Sequence, residues 1–324
     1  MINVGIIGLG HVATHQVAAL ETLEDFRLAA GCDPDTSRHA LLGDAVAAFV
    51  APDEFLQHPD LDVVVVASPN GLHVEHGLKV ISAGKWLVME KPLADTRADF
   101  DEFTARKQEL AGNCTLALHA AFGKEVEWFL AHQSDHQIDL RSISSFSSEF
   151  CDPYIENGEL LPQASSLGGS WVDSGVNALS VICRLISPED LIFRNSQMRR
   201  DSQLGCLESE GHVEFEFSRQ DSATGKGAIN TSWVAGRDSK ITEFGLDDGN
   251  DSLVLDHSLQ RVLLRHRDRE QILYACDNGL PRLTNHYIGI FEDLATQLKS
   301  GKDNFEYGRT LHQFLYLAEE WPEC

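Results

Sequence analysis

Ile2-Asn3-Val4-Gly5-Ile6-Ile7-Gly8-Leu9-Gly10-His11-Val12-Ala13 opens the chain, and its reading decides the fold. Residues 2–7 are mostly branched aliphatic and predict a strand. Two glycines break it, and a helix follows to about Leu23. This is G-x-G-x-x-G/A in its required setting of strand, turn and helix. Gly8 permits the tight turn, Gly10 lets the backbone approach a pyrophosphate, and Ala13 keeps the helix close to the sheet. The free N–H groups at the helix start, around His11 and Val12, face the anion.

Reading outward, a second strand from Arg27 to Cys32 ends at Asp33, about 25 residues after the first glycine, where an acid accepts hydrogen bonds from the adenosine ribose. The pair of signals predicts dinucleotide binding. Asp33 favours NAD by repelling a 2′-phosphate. Arg38, in Asp35-Thr36-Ser37-Arg38, could swing over to hold one, so NADP stays open; the alternative is a solvated residue at a helix start.

A third strand, residues 62–67, is almost pure β-branched residue and ends in Ser68-Pro69-Asn70-Gly71-Leu72-His73. The proline lacks a donor, and Asn70 and Gly71 are turn formers, so the chain breaks at the strand top. Ser68, Asn70 and His73 are then candidates to face the nicotinamide half of the cofactor, with His73 equally readable as a plain helix N-terminal residue. A helix from Leu72 to Ala83 leads through Gly84 to the run Trp86-Leu87-Val88-Met89, closed by Glu90-Lys91-Pro92. Two apolar runs joined by a helix form a βαβ unit of a sheet buried on both faces. Ligands bind at the carboxyl ends of such strands, which is where Lys91 falls. A helix from Thr96 to Ala111, a strand from Cys114 to Leu118 ending at His119, and a helix from Lys124 to Ala131 complete a doubly wound parallel sheet of Rossmann type.

After about residue 135 the pattern changes. Residues 139–150 read as a long strand, and Ser209 to Ser218 alternates strictly, with Val213, Phe215 and Phe217 on one face and Glu214 and Glu216 on the other. Short strands at 228–234, 242–246, 253–255 and 262–265 continue a mostly antiparallel, open-faced sheet. Helices at 286–299 and 309–320 close an α/β protein of two domains, residues 1–121 for the dinucleotide and 122–324 for substrate and oligomer contacts. One helix interrupts the second half, from Gly168-Gly169 to Leu185. Asp173 and Asn177, four apart, share a face of it. Burying a carboxylate costs several kcal/mol unless it is paired, and Lys91 is the natural partner. The alternative is an acid serving the helix dipole.

The 324 residues carry 50 acids against 26 Lys and Arg, a formal charge of −24, which argues against nucleic acid and anionic membrane. No run reaches the roughly 18 apolar residues that span a bilayer. The first residues show no basic n-region, and the seven scattered cysteines lack a CxxC pair. Reduced thiols in a cytoplasm, with no metal site, are expected.

These features together resemble the Gfo/Idh/MocA oxidoreductases. The carriers are Gly8-Leu9-Gly10-His11-Val12-Ala13, Ser68-Pro69-Asn70 through His73, Gly84-Lys85, Glu90-Lys91-Pro92-Leu93, and Gly168-Gly169 with Asp173-x-Gly175, spanning residues 1 to about 185. The terminal helix around Tyr287 to Leu294 is also similar to that family's end. The resemblance implies hydride transfer between NAD or NADP and a sugar or cyclitol hydroxyl, and a homo-oligomer, dimer or tetramer, built through the C-terminal sheet. It places Glu90 and His119 with Lys91 beside the cofactor. It makes Lys91, Asp173 and Asn177 the catalytic and substrate-contacting group. One departure stands out: the family's usual histidine, four residues after the aspartate, is Asn177 here, and its next aspartate is Ser180. Asn177 together with Leu116-Ala117-Leu118-His119 looks more like the branch that oxidises aldoses at C1 to lactones. In that branch an arginine often follows closely, where this chain has Ala120 and Ala121. Glu149 would match a sugar-contacting acid there; an exposed strand acid is the alternative.

Overall fold

A computed structural model describes residues 1–201, 207–219, 223–247, 250–267 and 269–320. The chain forms two compact units, Met1–His119 with Leu283–Arg309, and Ala120–Arg282 with the residues from Thr310 onward.

The first unit holds β1 (Ile2–Ile7), α1 (His11–Glu21), β2 (Phe26–Cys32), β3 (Ala47–Phe49), α2 (Pro52–Phe55), β4 (Val63–Val66), α3 (His73–Ser82), β5 (Trp86–Glu90), α4 (Arg97–Leu110) and β6 (Cys114–Ala117). Its six strands are all parallel, in the order β3-β2-β1-β4-β5-β6. The order reverses between β1 and β4, the crevice where such sheets bind nucleotides. All four valines of β4 are fully buried, which explains their unbroken apolar run. The expected helix from Leu72 begins one residue later, after a single 3-10 turn over Asn70–Leu72. The short β3 and α2 escape a pattern reading, because three and four residues carry no periodicity.

Residues Leu283–Arg309 join this unit, although the sequence sets them at the far end of the other one. Hydrogen bonds at the sheet edge explain why. Strand β6 has no further strand beside it among the described residues, and its Cys114 and Leu116 N–H groups are taken by the side chains of Asp303 (2.8 Å) and Asn304 (2.7 Å). Asn304 also donates back to the Leu116 carbonyl at 3.1 Å, so one amide covers the bare edge as a strand would.

The second unit contains α5 (Lys124–His132), β7 (Ile143–Cys151), the hairpin β8 (Ile155–Glu156) and β9 (Glu159–Leu160), and α6 (Ser170–Leu185). Strands β10 (Leu191–Asp201), β11 (Leu207–Ser218), β12 (Thr224–Ser232), β13 (Ser239–Leu246), β14 (Asp251–Asp256), β15 (Arg261–His266) and β16 (Arg269–Ala275) follow; after them the chain returns to the first unit with α7 (Arg282–Ser300), and α8 (Phe305–Glu319) passes from the first unit to the second after Arg309. The eight-stranded sheet runs β10-β11-β12-β7-β13-β14-β15-β16 and is antiparallel except for the β12–β7 pair. Edge strands β10 and β16 are absent from the sequence reading because they are largely exposed and charged. The first long strand starts at Ile143 rather than 139, because the Asp139 side chain caps a 3-10 turn by accepting from Arg141 N.

One sheet face is apolar, with Phe146, Phe150, Val213, Phe215, Phe217 and Ile229 buried. The other carries ion pairs such as Arg199–Glu210 and Arg194–Glu216. Helix α6 lies on the apolar face, where the Ser170 hydroxyl meets that of Thr231 at 3.1 Å and Trp171 Nε1 donates to the Leu315 carbonyl. Every α6 residue except Arg184 is buried. No described helix is long and apolar enough to cross a membrane.

Candidate active site

At the N-terminal fingerprint, Gly8 sits at φ 93°, and a Cβ there would lie 2.5 Å from the Ala67 carbonyl oxygen. The end of β4 therefore presses on this turn, and only glycine fits. A Cβ on Gly10 would meet nothing closer than Arg38 Nη1 at 3.8 Å, so the turn faces open space. Gly10 is also the N-cap of α1 and supplies no side-chain cap, which leaves first-turn N–H groups for an anion. Asp33 is 4% exposed. One of its carboxylate oxygens accepts from Leu9 N (2.8 Å) and the other from Asp35 N (2.9 Å), locking the acid to the glycine turn. This cradle fits a dinucleotide: a donor-rich helix start with a fixed acid one strand over. Arg38 is half exposed and lies 3.5 Å from both Asp33 and Asp35. His11 is exposed, edge-on to His15, and Val12 is half-buried.

The strand-top residues form a bracket. His73 is 1% exposed; its Nδ1 lies 2.7 Å from the Pro92 carbonyl oxygen and its Nε2 2.8 Å from that of Ser68. Only the imidazolium donates to both, yet burial holds the His73 pKa below its usual value. The ring thus ties the end of β4 to the loop after β5. The Ser68 hydroxyl meets His76 Nδ1 at 2.9 Å, and Asn70 is buried with its Nδ2 lacking a hydrogen-bond partner among the described residues. Beside them Lys91-Pro92 is a cis peptide.

Glu90 is 5% exposed and fully engaged. Its Oε1 accepts from Gln16 Nε2 (2.8 Å) and the Tyr287 hydroxyl (2.6 Å), and its Oε2 from Lys91 N (3.3 Å). His119, at the top of β6, stacks on His286 with Nδ1 atoms 3.1 Å apart. The first unit thus gathers Gly8, Gly10, Asp33, Ser68, Asn70, His73, Glu90, Lys91 and His119 at the carboxyl ends of its strands.

In the second unit, Gly168 and Gly169 lead into α6 with φ 84° and 117°. A Cβ on Gly169 would come within 2.3 Å of the Glu208 carboxyl carbon, so the glycine makes room for that buried acid. Glu208 Oε1 accepts from Val172 N at 3.3 Å, closing the start of the helix, and burial pushes its pKa up to about 7. One turn on, Asp173 and Asn177 share a face as expected, and the Asn177 Nδ2 donates to the Asp173 carbonyl oxygen (3.2 Å). Its Oδ1 is buried with no hydrogen-bond partner among the described residues.

A sequence reading does not find the company Asp173 keeps. The Ser174 hydroxyl lies 3.1 Å from Asp152 Oδ2 and 3.4 Å from Asp173 Oδ2. Asp152 pairs with Lys240 Nζ at 2.7 Å, and Lys240 also reaches Asp238. Burial raises Asp152, the Lys240 ammonium opposes the rise, and Asp173 adds to it. Burial, then Asp173, raise the Tyr154 phenol as well. Only the sheet connections bring these groups together, so no local motif announces them.

Glu149 stands elsewhere. Strand side chains alternate, so Phe146, Ser148 and Phe150 face α6 while Glu149 points to the opposite face. There Arg237 Nη2 contacts both of its oxygens at 2.9 Å. The sheet lies between Glu149 and the Asp173–Asn177 face, so Glu149 is an exposed strand acid rather than a neighbour of that pair.

Residues 2–117 match a family model described as oxidoreductase family, NAD-binding Rossmann fold. The scyllo-inositol 2-dehydrogenase (NADP(+)) IolU of Bacillus subtilis (strain 168) is 24% identical to the chain, covering 99% of it and 97% of that protein. A dTDP-3,4-didehydro-2,6-dideoxy-alpha-D-glucose 3-reductase of Streptomyces antibioticus is 26% identical over 64% of the chain and 63% of its own length. The crystal structure of an NAD binding oxidoreductase from Klebsiella pneumoniae shares the fold, with a TM-score of 0.79 and 21% identity over 98% of this chain and 96% of that one.

Proposed function

The chain belongs to the Gfo/Idh/MocA oxidoreductases, NAD(P)-dependent enzymes of the sugar and cyclitol class, and on that premise we propose that it oxidises an aldose at C1 to a lactone. The bound nicotinamide supplies the hydride acceptor. Gly8, Gly10 and the α1 start hold the pyrophosphate, and Asp33 holds the adenosine ribose. Lys91 bonds the reacting hydroxyl and carries its proton. Asp173 and Asn177 bind the sugar.

Asn177 carries this reading. It is buried, and its Oδ1, without a partner among the described residues, is an acceptor suited to a substrate hydroxyl. It cannot take a proton at neutral pH, so the transfer falls to Lys91. An anomeric hydroxyl is more acidic than an ordinary alcohol and suits a site without a histidine base. A second reading, oxidation of a cyclitol or reduction of an oxo-sugar, is supported by the names of the Bacillus and Streptomyces relatives.

A panel of aldoses and cyclitols with NAD and NADP, followed by reduced-nicotinamide absorbance, tests both readings. Aldose turnover with lactone formation is expected. Turnover of cyclitols alone would move the assignment to the second reading, and no turnover with cofactor bound would remove both. The same proposal has the protein working in the cytoplasm as a homo-oligomer, dimer or tetramer, through the charged outer face of the C-terminal sheet, which light scattering checks.

A further inference from the structure

We propose that Tyr287, near the far end of the chain, is a positioning residue that sets the proton affinity of Lys91 by acting through Glu90. The proposal rests on Lys91 being the proton carrier. Three segments distant in sequence converge on one carboxylate: Gln16 from α1, Tyr287 from α7, and the Lys91 N–H from the strand's own exit. The Tyr287 contact, at 2.6 Å, is the shortest of the three. The phenol is 2% exposed, with the His119 ring 6.1 Å away.

The physical need for this donor follows from burial. Left alone, a carboxyl this deep would take up a proton, and burial does push Glu90 upward. The Tyr287 hydroxyl opposes that most strongly, followed by the Lys91 charge, the Lys91 N–H and Gln16. Among the described residues, the titratable groups acting on Glu90 are Lys91 on its own loop and Tyr287 from α7, with the His119 ring against Tyr287 and His286 against His119; α1 offers the neutral Gln16. A hydroxyl donating to a carboxylate favours the ionised form. An ionised Glu90 in turn raises the proton affinity of the neighbouring ammonium. The family model's match ends at residue 117 and so leaves Tyr287 out, although the first unit is completed by this helix.

The test reads Lys91 directly. Its labelling by acetic anhydride is quantified by mass spectrometry across a pH series in the full-length protein without substrate. Glu90→Gln, which keeps the side-chain shape, should lower the labelling midpoint by about one pH unit, a tenfold change in proton affinity. Tyr287→Phe should lower it in the same direction, and should add nothing in the Glu90→Gln background. With a turned-over substrate, the pH limb of kcat should move with the labelling midpoint while cofactor KM stays within about twofold.

An unchanged midpoint in Glu90→Gln would overturn the proposal. So would an undiminished Tyr287→Phe effect in the double variant, or a change confined to KM. Should Tyr287→Phe fail to fold, Glu90→Gln still decides. Because labelling needs no substrate, a wrong assignment of the reaction leaves this result intact, and a failure here leaves the substrate panel intact.

Discussion

Replacing Glu208 by Gln should stabilise the protein, by an amount that grows with pH. Glu208 is 3% exposed under the start of α6, and burial raises its pKa from 4.5 to about 7. Glu319 adds to the rise, and the Val172 N–H and Arg200 oppose it. A carboxyl whose pKa is higher folded than unfolded contributes stability that is complete below the unfolded value. That stability is lost as pH rises through the folded value. Two and a half units at about 1.4 kcal/mol each give a loss on the order of 3 kcal/mol between pH 4.5 and 8. Glutamine has the same shape, can still accept from Val172 N, and does not titrate. The variant's advantage should therefore grow from below about 1 kcal/mol at pH 5 to about 3 kcal/mol at pH 8. Urea denaturation of both proteins at half-unit pH steps measures it, and titrating groups that do not interact with Glu208 cancel in the difference. Parallel stability curves, or a variant less stable at pH 8, would refute the placement of this acid.

Other consequences can be checked with standard variants. Lys91→Met should remove most of kcat and leave cofactor affinity, followed by fluorescence titration, nearly unchanged; retained turnover would take Lys91 out of the mechanism. Gly169→Ala should destabilise by about 1–3 kcal/mol, because its Cβ meets the Glu208 carboxyl at a φ that L residues avoid. Glu208→Ala should recover part of that in the double variant, and strict additivity in denaturation would count against the clash. Burial lowers the His73 pKa, so folded protein binds this proton at lower pH than unfolded chain does, and stability falls as pH drops below about 6.5. His73→Asn should lower stability at pH 7.5 and flatten the slope below pH 6.5 by up to about 1.4 kcal/mol per unit. An unchanged slope in thermal melts would mean that another group titrates. Asp33→Ala should weaken NAD at least tenfold by removing the ribose acceptor and freeing Leu9 N; equal affinities by calorimetry would displace Asp33 from the cofactor.

Local chemistry accounts for what the sequence determined by itself. The glycine turn, the valine run of β4, the break at Pro69 and the alternation in β11 are read within a few residues, because turn conformation and side-chain period depend on near neighbours. Asp173 and Asn177 share a face for the same reason: helical spacing needs no tertiary information. Tertiary structure decided the rest. Gln16, Glu90 and Tyr287 stand 74 and 197 positions apart, and Asp303 finds the edge of β6 across 189. Nothing local encodes such pairings, since they arise from buried groups seeking partners once the sheet exists. The Asp152–Lys240 pair beside Asp173 depends likewise on β7 and β13 being adjacent. Glu149 shows the converse limit. Its strand was legible, but which face the strand would turn to α6 was settled only when Phe146 and Phe150 entered the core, because a pleated strand cannot present consecutive residues to one side.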